Sequence, residues 1–213
     1  MDQQAKQDQF LRNSQVWITL ENLISHDPDL REKGLDDLVS LEGFQDQPLV
    51  VYVLATRLLD PDLEIRFHAV QVLGKLLDFD TPGARLPDNS LETLTAFTTQ
   101  MDRGQLVKLL EVSVEYLAAE EPIAEILKLC SYAGKALGGI LNDRKLTVEI
   151  RQQALYFCGE VGFLTATTAI KNLIQRIEKN SLKPRMASPR KKQIDEERLY
   201  NFAQAALSKL EGS

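Results

Sequence analysis

Asp60-Pro61-Asp62-Leu63-Glu64-Ile65-Arg66-Phe67-His68-Ala69-Val70-Gln71-Val72-Leu73-Gly74-Lys75-Leu76 carries a start signal, a helical period and a close-packing signal in one run. Asp60 is placed to cap a helix through its side chain. Pro61 fits a first turn, where no N–H partner is required. Ile65, Ala69, Leu73 and Leu76 recur at helical spacing and form one apolar stripe. Ala69 and Gly74 are small, as a close helix crossing demands. The run recurs: Glu64-Ile65-Arg66 and the small residues Ala69 and Gly74 reappear as Glu149-Ile150-Arg151, Ala154 and Gly159, an offset of 149 − 64 = 85. Between them Val70/Leu155, Val72/Phe157, Leu73/Cys158 and Leu76/Val161 keep apolar character. A weaker copy precedes both, with Asp27-Pro28-Asp29-Leu30, Gly34-Leu35, Leu38 and Leu41, its connection shorter by two residues. An offset of 85 is about two units of 40 to 47 residues, the length of a helical-pair repeat.

Working outward, the periodicity predicts helices over 8–24, 29–42, 48–59, 62–77, 90–101, 103–119, 122–141, 147–162, 166–179 and 194–211. Pro48, Pro61 and Pro122 sit where helices begin. No stretch alternates apolar and polar residues long enough for a strand. The spans 78–89 and 179–193 break the regularity, the first as a turn-rich connection in mid-array. The second holds Lys179, Lys183, Arg185, Arg190, Lys191 and Lys192 and no carboxylate. Taking those six charges from the formal −6 leaves −12 on the rest of the chain. An acidic body repels a phosphate backbone, which disfavours nucleic acid as the main partner. Three parts follow: a helical array over 1–179, a basic flexible linker over 180–193, and an amphipathic helix over 194–213. That last helix carries Leu199, Phe202, Ala203, Ala206, Leu207 and Leu210 and either caps the array or docks on a partner.

The pattern Asp60-Pro61-Asp62, Ile65-Arg66, Ala69-Val70, Leu73-Gly74 resembles the second helix of a HEAT repeat, within the HEAT/armadillo-like group. The resemblance is strong over 60–77, good over 149–162 and loose elsewhere. It implies an all-α, right-handed α-solenoid of roughly four to five antiparallel helix pairs. It also implies that Arg66 and Arg151 form a structural ladder with aspartates of neighbouring turns, Asp60 or Asp62 for the first and Asp143 for the second. In such arrays the second helices line the concave side. Phe67, Gln71 and Lys75 fall off the apolar stripe, with Gln152, Tyr156 and Glu160 as counterparts, so these six are the expected partner-binding residues. The implied function is a non-enzymatic protein-binding scaffold or adaptor. HEAT-like relatives also include a DNA glycosylase family and bilin lyase-type chaperones, and a structural subunit of a larger assembly is a further alternative.

The chemistry-bearing residues point elsewhere than catalysis. His26 and His68 lack a ligand at metal-pair spacing, and there is no phosphate loop or nucleophile elbow. No catalytic, cofactor or metal site is therefore expected. Gly134, Gly138 and Gly139 lie in helical context and read as close helix packing or a kink. Trp17, with Phe10, Leu20 and Ile24, reads as core or end-cap packing. Cys130 and Cys158 sit among apolar neighbours and read as buried free thiols. The opening Met1-Asp2-Gln3-Gln4 has no secretory apolar segment, and the longest apolar run, 48–55, is too short for a bilayer. A cytoplasmic protein with a protein partner and no membrane is expected.

Overall fold

A computed structural model describes residues 14–78, 86–181 and 190–212, except for the side chains of 181 and 190–193. Among these residues there are helices and turns and no strand. They group into two compact units. The first runs to Gln100 and includes Glu121–Ile126; the second comprises Met101–Glu120 and the chain from Leu127 onward. This division falls within the span 1–179 that the sequence presents as one array. The 79–85 part of the mid-array connection and the 182–189 core of the basic tract lie outside the described residues.

The first unit contains α1 (14–23), α2 (Pro28–Val39), α3 (Pro48–Thr56), α4 (Leu63–Leu77) and α5 (Asp88–Gln100). Pro28 and Pro48 each occupy a first turn, where the missing N–H leaves nothing unpaired. α2 packs on α4, and α3 packs on both α4 and α5. Leu23, Leu35, Leu54, Leu73 and Leu94 are fully buried between them. A fully buried leucine contributes roughly 1.5–3 kcal/mol, so the stripe Ile65, Ala69, Leu73, Leu76 holds α4 far more firmly than helix propensity does. Gly34 is required by proximity: a Cβ there would lie 2.8 Å from the Leu23 nitrogen.

Helix α7 (Glu120–Lys128) contributes Glu121–Ile126 to the first unit. A Cβ on Gly74 of α4 would run into Pro122 of this segment, so the glycine of the repeat signature is a packing glycine.

The second unit contains α6 (Arg103–Glu115), α8 (Ala133–Asn142), α9 (Val148–Val161), α10 (Thr167–Ser181) and α11 (Arg190–Gly212). α9 lies against α6, α8 and α11, and its Phe157 is fully buried. Asp102 starts α6 with a reciprocal capping box, its side chain accepting from Gln105 N at 2.8 Å while Gln105 Oε1 accepts from Asp102 N at 2.7 Å. Gly162, at φ 79°, ends α9 in the left-handed region that a side chain disfavours. In α11, Leu199, Ala203, Ala206 and Leu210 are buried, whereas Phe202 is exposed.

Four differences from the sequence reading have local causes. The single helix expected over 122–141 is two, because the chain leaves helical geometry across Leu129–Tyr132. Cys130, Ser131 and Tyr132 are weak helix formers, and nothing in the apolar period records the break. α8 runs unbroken through Gly138 and Gly139. A Cβ at Gly138 would sit 3.1 Å from Ala169 Cβ, but one at Gly139 meets nothing within 4 Å, so only the first is a packing glycine. Trp17 is 59% exposed rather than core. Finally, α4 is capped by Asp62, whose Oδ1 accepts from Glu64 N at 2.9 Å, and not by Asp60.

Candidate functional site

The shift of that cap explains the arginine positions. In the first copy Asp27 caps α2, accepting from Asp29 N at 3.0 Å, with Pro28 inside the helix. In the second, two more residues separate the Asp-Pro-Asp from the apolar stripe, so the capping duty passes to Asp62 and Asp60 is released. Asp60 is buried and its carboxylate takes a fork from α2: Arg31 Nε donates to Oδ2 at 2.9 Å and Nη2 to Oδ1 at 3.0 Å. Arg57 Nη1 donates to the same Oδ2 at 3.0 Å, and Asp62 N donates to Oδ1 at 3.0 Å. Arg31 Nη1 also reaches the carbonyls of Ser25 and His26 at 3.1 and 2.9 Å. Burial pulls the Arg57 guanidinium below its ordinary range, against the attraction of Asp60 and together with repulsion from Arg31. One carboxylate thus gathers the start of α2, the turn Arg57–Leu59 and the approach to α4.

Arg66 is also buried, and its Nη1 donates to the main-chain carbonyls of Asp60 at 2.8 Å and Pro61 at 3.3 Å. The aspartate ladder expected for Arg66 is therefore built differently, with the carboxylate of Asp60 turned to Arg31 and that of Asp62 to the helix cap. Arg31 is the residue that sequence reasoning missed. The signal was available: matching Gly34-Leu35 to Ala69-Val70 sets an offset of 35, which lays Arg31 on Arg66. Aligning on Asp-Pro-Asp instead hides it by two residues.

In the second unit Arg151 is buried and its Nε donates to the carbonyl of Leu141, the penultimate residue of α8, at 2.8 Å. Asp143, expected as its partner, forms an ion pair with Arg103 and accepts from Lys145 N at 2.9 Å. The Lys145 N–H first, then Arg103, hold the Asp143 carboxyl below the usual carboxylate range. Asp143 acts on Arg151 only as a nearby charge.

The expected recognition row divides in two. On α4, Phe67 and Gln71 are half-buried and Lys75 is exposed. On α9, Gln152 and Tyr156 are half-buried and Glu160 is exposed, but α11 has come down beside them. Lys209 Nζ pairs with Glu160 and lies 5.8 Å from the centroid of the Tyr156 ring, a cation–π placement. Tyr156 meets Phe157 edge-on at 5.2 Å, and a Cβ on Gly159 would lie 3.0 Å from Ala206 Cα. The α9 row is thus partly covered by α11.

The remaining candidates are placed simply. Cys130 and Cys158 are buried free thiols, and burial raises both, Cys158 to about 12. His68 Nε2 is 3.8 Å from Asp36 Oδ1, and His26 is exposed. Among the described residues no group of three or more His, Cys, Asp or Glu is arranged to hold a metal ion. No described helix is long and apolar enough to cross a membrane. No family model matches this chain, and no curated protein does either.

Proposed function

We propose that the chain is a non-enzymatic protein-binding scaffold, a HEAT-like α-solenoid that engages another protein through the outward row of α4. The observation that carries this is the row Phe67, Gln71, Lys75, one residue per turn, on a helix whose opposite side is locked into the core by Ile65, Ala69 and Leu73. A rigid helix presenting a part-exposed aromatic beside an exposed cation suits a partner that offers an apolar side chain flanked by a carboxylate. Affinity in such interfaces comes from a few anchors, with aromatic residues prominent among them. On the counterpart row of α9, Lys209 pairs with Glu160 and lies over the Tyr156 ring.

The test is tagged capture from the native host after nuclease treatment, with the parent chain and the Phe67→Ala/Lys75→Glu variant side by side. A protein recovered stoichiometrically with the parent and lost with the variant is the expected result. Equal recovery with both, or recovery of nucleic acid alone from an untreated sample, would overturn the reading.

A further inference from the structure

Helix α3 is apolar on more than its buried side. Pro48–Thr56 carries no charged residue, and Leu49 and Tyr52 are 54% and 48% exposed. They stand three positions apart on one side of the helix, with Thr56 a turn further on. The face continues onto α5, where Phe97 meets Tyr52 edge-on with ring centroids 6.0 Å apart. Thr93 lies one turn before Phe97. The threonines add little polarity to this face. Thr56 Oγ1 donates to the Val53 carbonyl at 2.6 Å and Thr93 Oγ1 to that of Asn89 at 2.9 Å, so both hydroxyls are satisfied within their own helices.

The charges beside this face are acidic. Asp46, just before α3, and Asp88 and Glu92 in the first turns of α5 are exposed, and neither helix contains Lys or Arg. The whole first unit leans the same way: its described residues hold five Lys and Arg against sixteen Asp and Glu, 5 − 16 = −11. Of those five cations, Arg31 and Arg66 are buried, and Arg57 and Lys33 are paired with Asp60 and Asp37.

That imbalance selects the occupant. A second copy would bring the same excess of negative charge against the first, and nucleic acid or an anionic lipid surface would be repelled in the same way. A segment with apolar side chains beside lysine or arginine gains twice, since it covers Leu49, Tyr52 and Phe97 and answers the carboxylates around them. Two helices packed side by side offer a third a groove for its ridge of side chains. We propose that the α3–α5 face docks a basic amphipathic helix of a partner protein, a surface independent of the α4 row.

The experiment measures fluorescence anisotropy of labelled model peptides against the full chain. The probe is a fourteen-residue helix of leucine and lysine with leucine along one face. Its counterpart with glutamate for lysine, and a lysine-only peptide of equal charge, are the comparisons. Saturable binding of the leucine–lysine helix is expected, with both comparisons at least about tenfold weaker. Leu49→Gln and Tyr52→Ala should each weaken it roughly tenfold, the effect of removing one apolar anchor, and Glu92→Lys should weaken it as well. Leu49 is more than half exposed, so its variant keeps the test sound even if Tyr52→Ala, which removes the contact with Phe97, loosens the fold. Phe67→Ala/Lys75→Glu should leave this binding unchanged, which separates it from the contact assigned to α4. An affinity indifferent to Leu49→Gln and Tyr52→Ala, or equal binding of the lysine-only or glutamate peptide, would overturn the proposal. So would a dimer of the parent chain in sedimentation that Leu49→Gln dissolves, since it would give the face to a second copy.

Discussion

Replacing Asp60 by alanine should nearly unfold the first unit. The side chain is fully buried against Arg31 and Arg57, whose side chains are 7% and 17% exposed. Its loss removes the two-pronged Arg31 fork, two charge-assisted bonds of about 1.5–3 kcal/mol each. It also strands a buried guanidinium, and breaking such a pair from one side costs about 3–5 kcal/mol in all. Domains are stable by about 5–15 kcal/mol, so the variant should keep a fraction of that margin. With a urea slope of about 2 kcal/mol/M, the midpoint should fall by on the order of 2 M. Urea unfolding followed by far-ultraviolet circular dichroism measures the shift. Hydrogen exchange of peptides within 50–77 ascribes it to the unit that holds Asp60. Removing both sides, as Asp60→Leu/Arg31→Met, should recover a large part of the loss, since an apolar pair of similar size needs no counterion. A loss below about 1 kcal/mol for Asp60→Ala, or a double variant no better than the single one, would refute the view that this carboxylate organises the cluster.

Two glycines, each within a helix, should respond with opposite sign. Gly139→Ala should raise stability by about 0.5–1 kcal/mol, since its Cβ meets nothing, while Gly159→Ala should lower it and increase hydrogen exchange across 199–210, because its Cβ would press on the Ala206 backbone; a gain at Gly159 would show that α11 is not seated there. Cys158, raised to about 12 from an unfolded value near 8.5, should resist thiol reagents at pH 8 until the protein unfolds. Its contribution to stability is complete below pH 8.5 and is lost as the pH rises toward 12, at about 1.4 kcal/mol per unit, so Cys158→Ala should flatten the alkaline limb of a urea-midpoint profile.

The helical class and the packing stripe of α4 were readable because both depend on local period and size. Ile65, Ala69, Leu73 and Gly74 are each explained by a contact that any helix with those residues would seek. The arginine partners were less readable, since a donor finds whichever oxygen the chain geometry brings near. Asp60 is the example: two extra residues ahead of the stripe moved the cap to Asp62 and sent the freed carboxylate across to Arg31. Asp143 is another, claimed by Arg103 from forty positions away. Long-range pairings of that kind leave no periodic trace. The candidate rows on α4 and α9 looked equivalent for the same reason, because the descent of α11 onto Tyr156 and Glu160 depends on residues beyond the repeat.

The seat of α11 on α9 also sets a schedule for synthesis. Gly159 and Ala206, which meet in the finished fold, are separated by 206 − 159 = 47 residues of chain. At about 5–20 residues per second, a ribosome needs some 2–9 seconds to add them. Through that interval α9 has been made and can pack on α6 and α8, but α11 has not. A nascent chain stalled before Leu199 would therefore present α9 uncovered along the side that Ala206 later closes at Gly159.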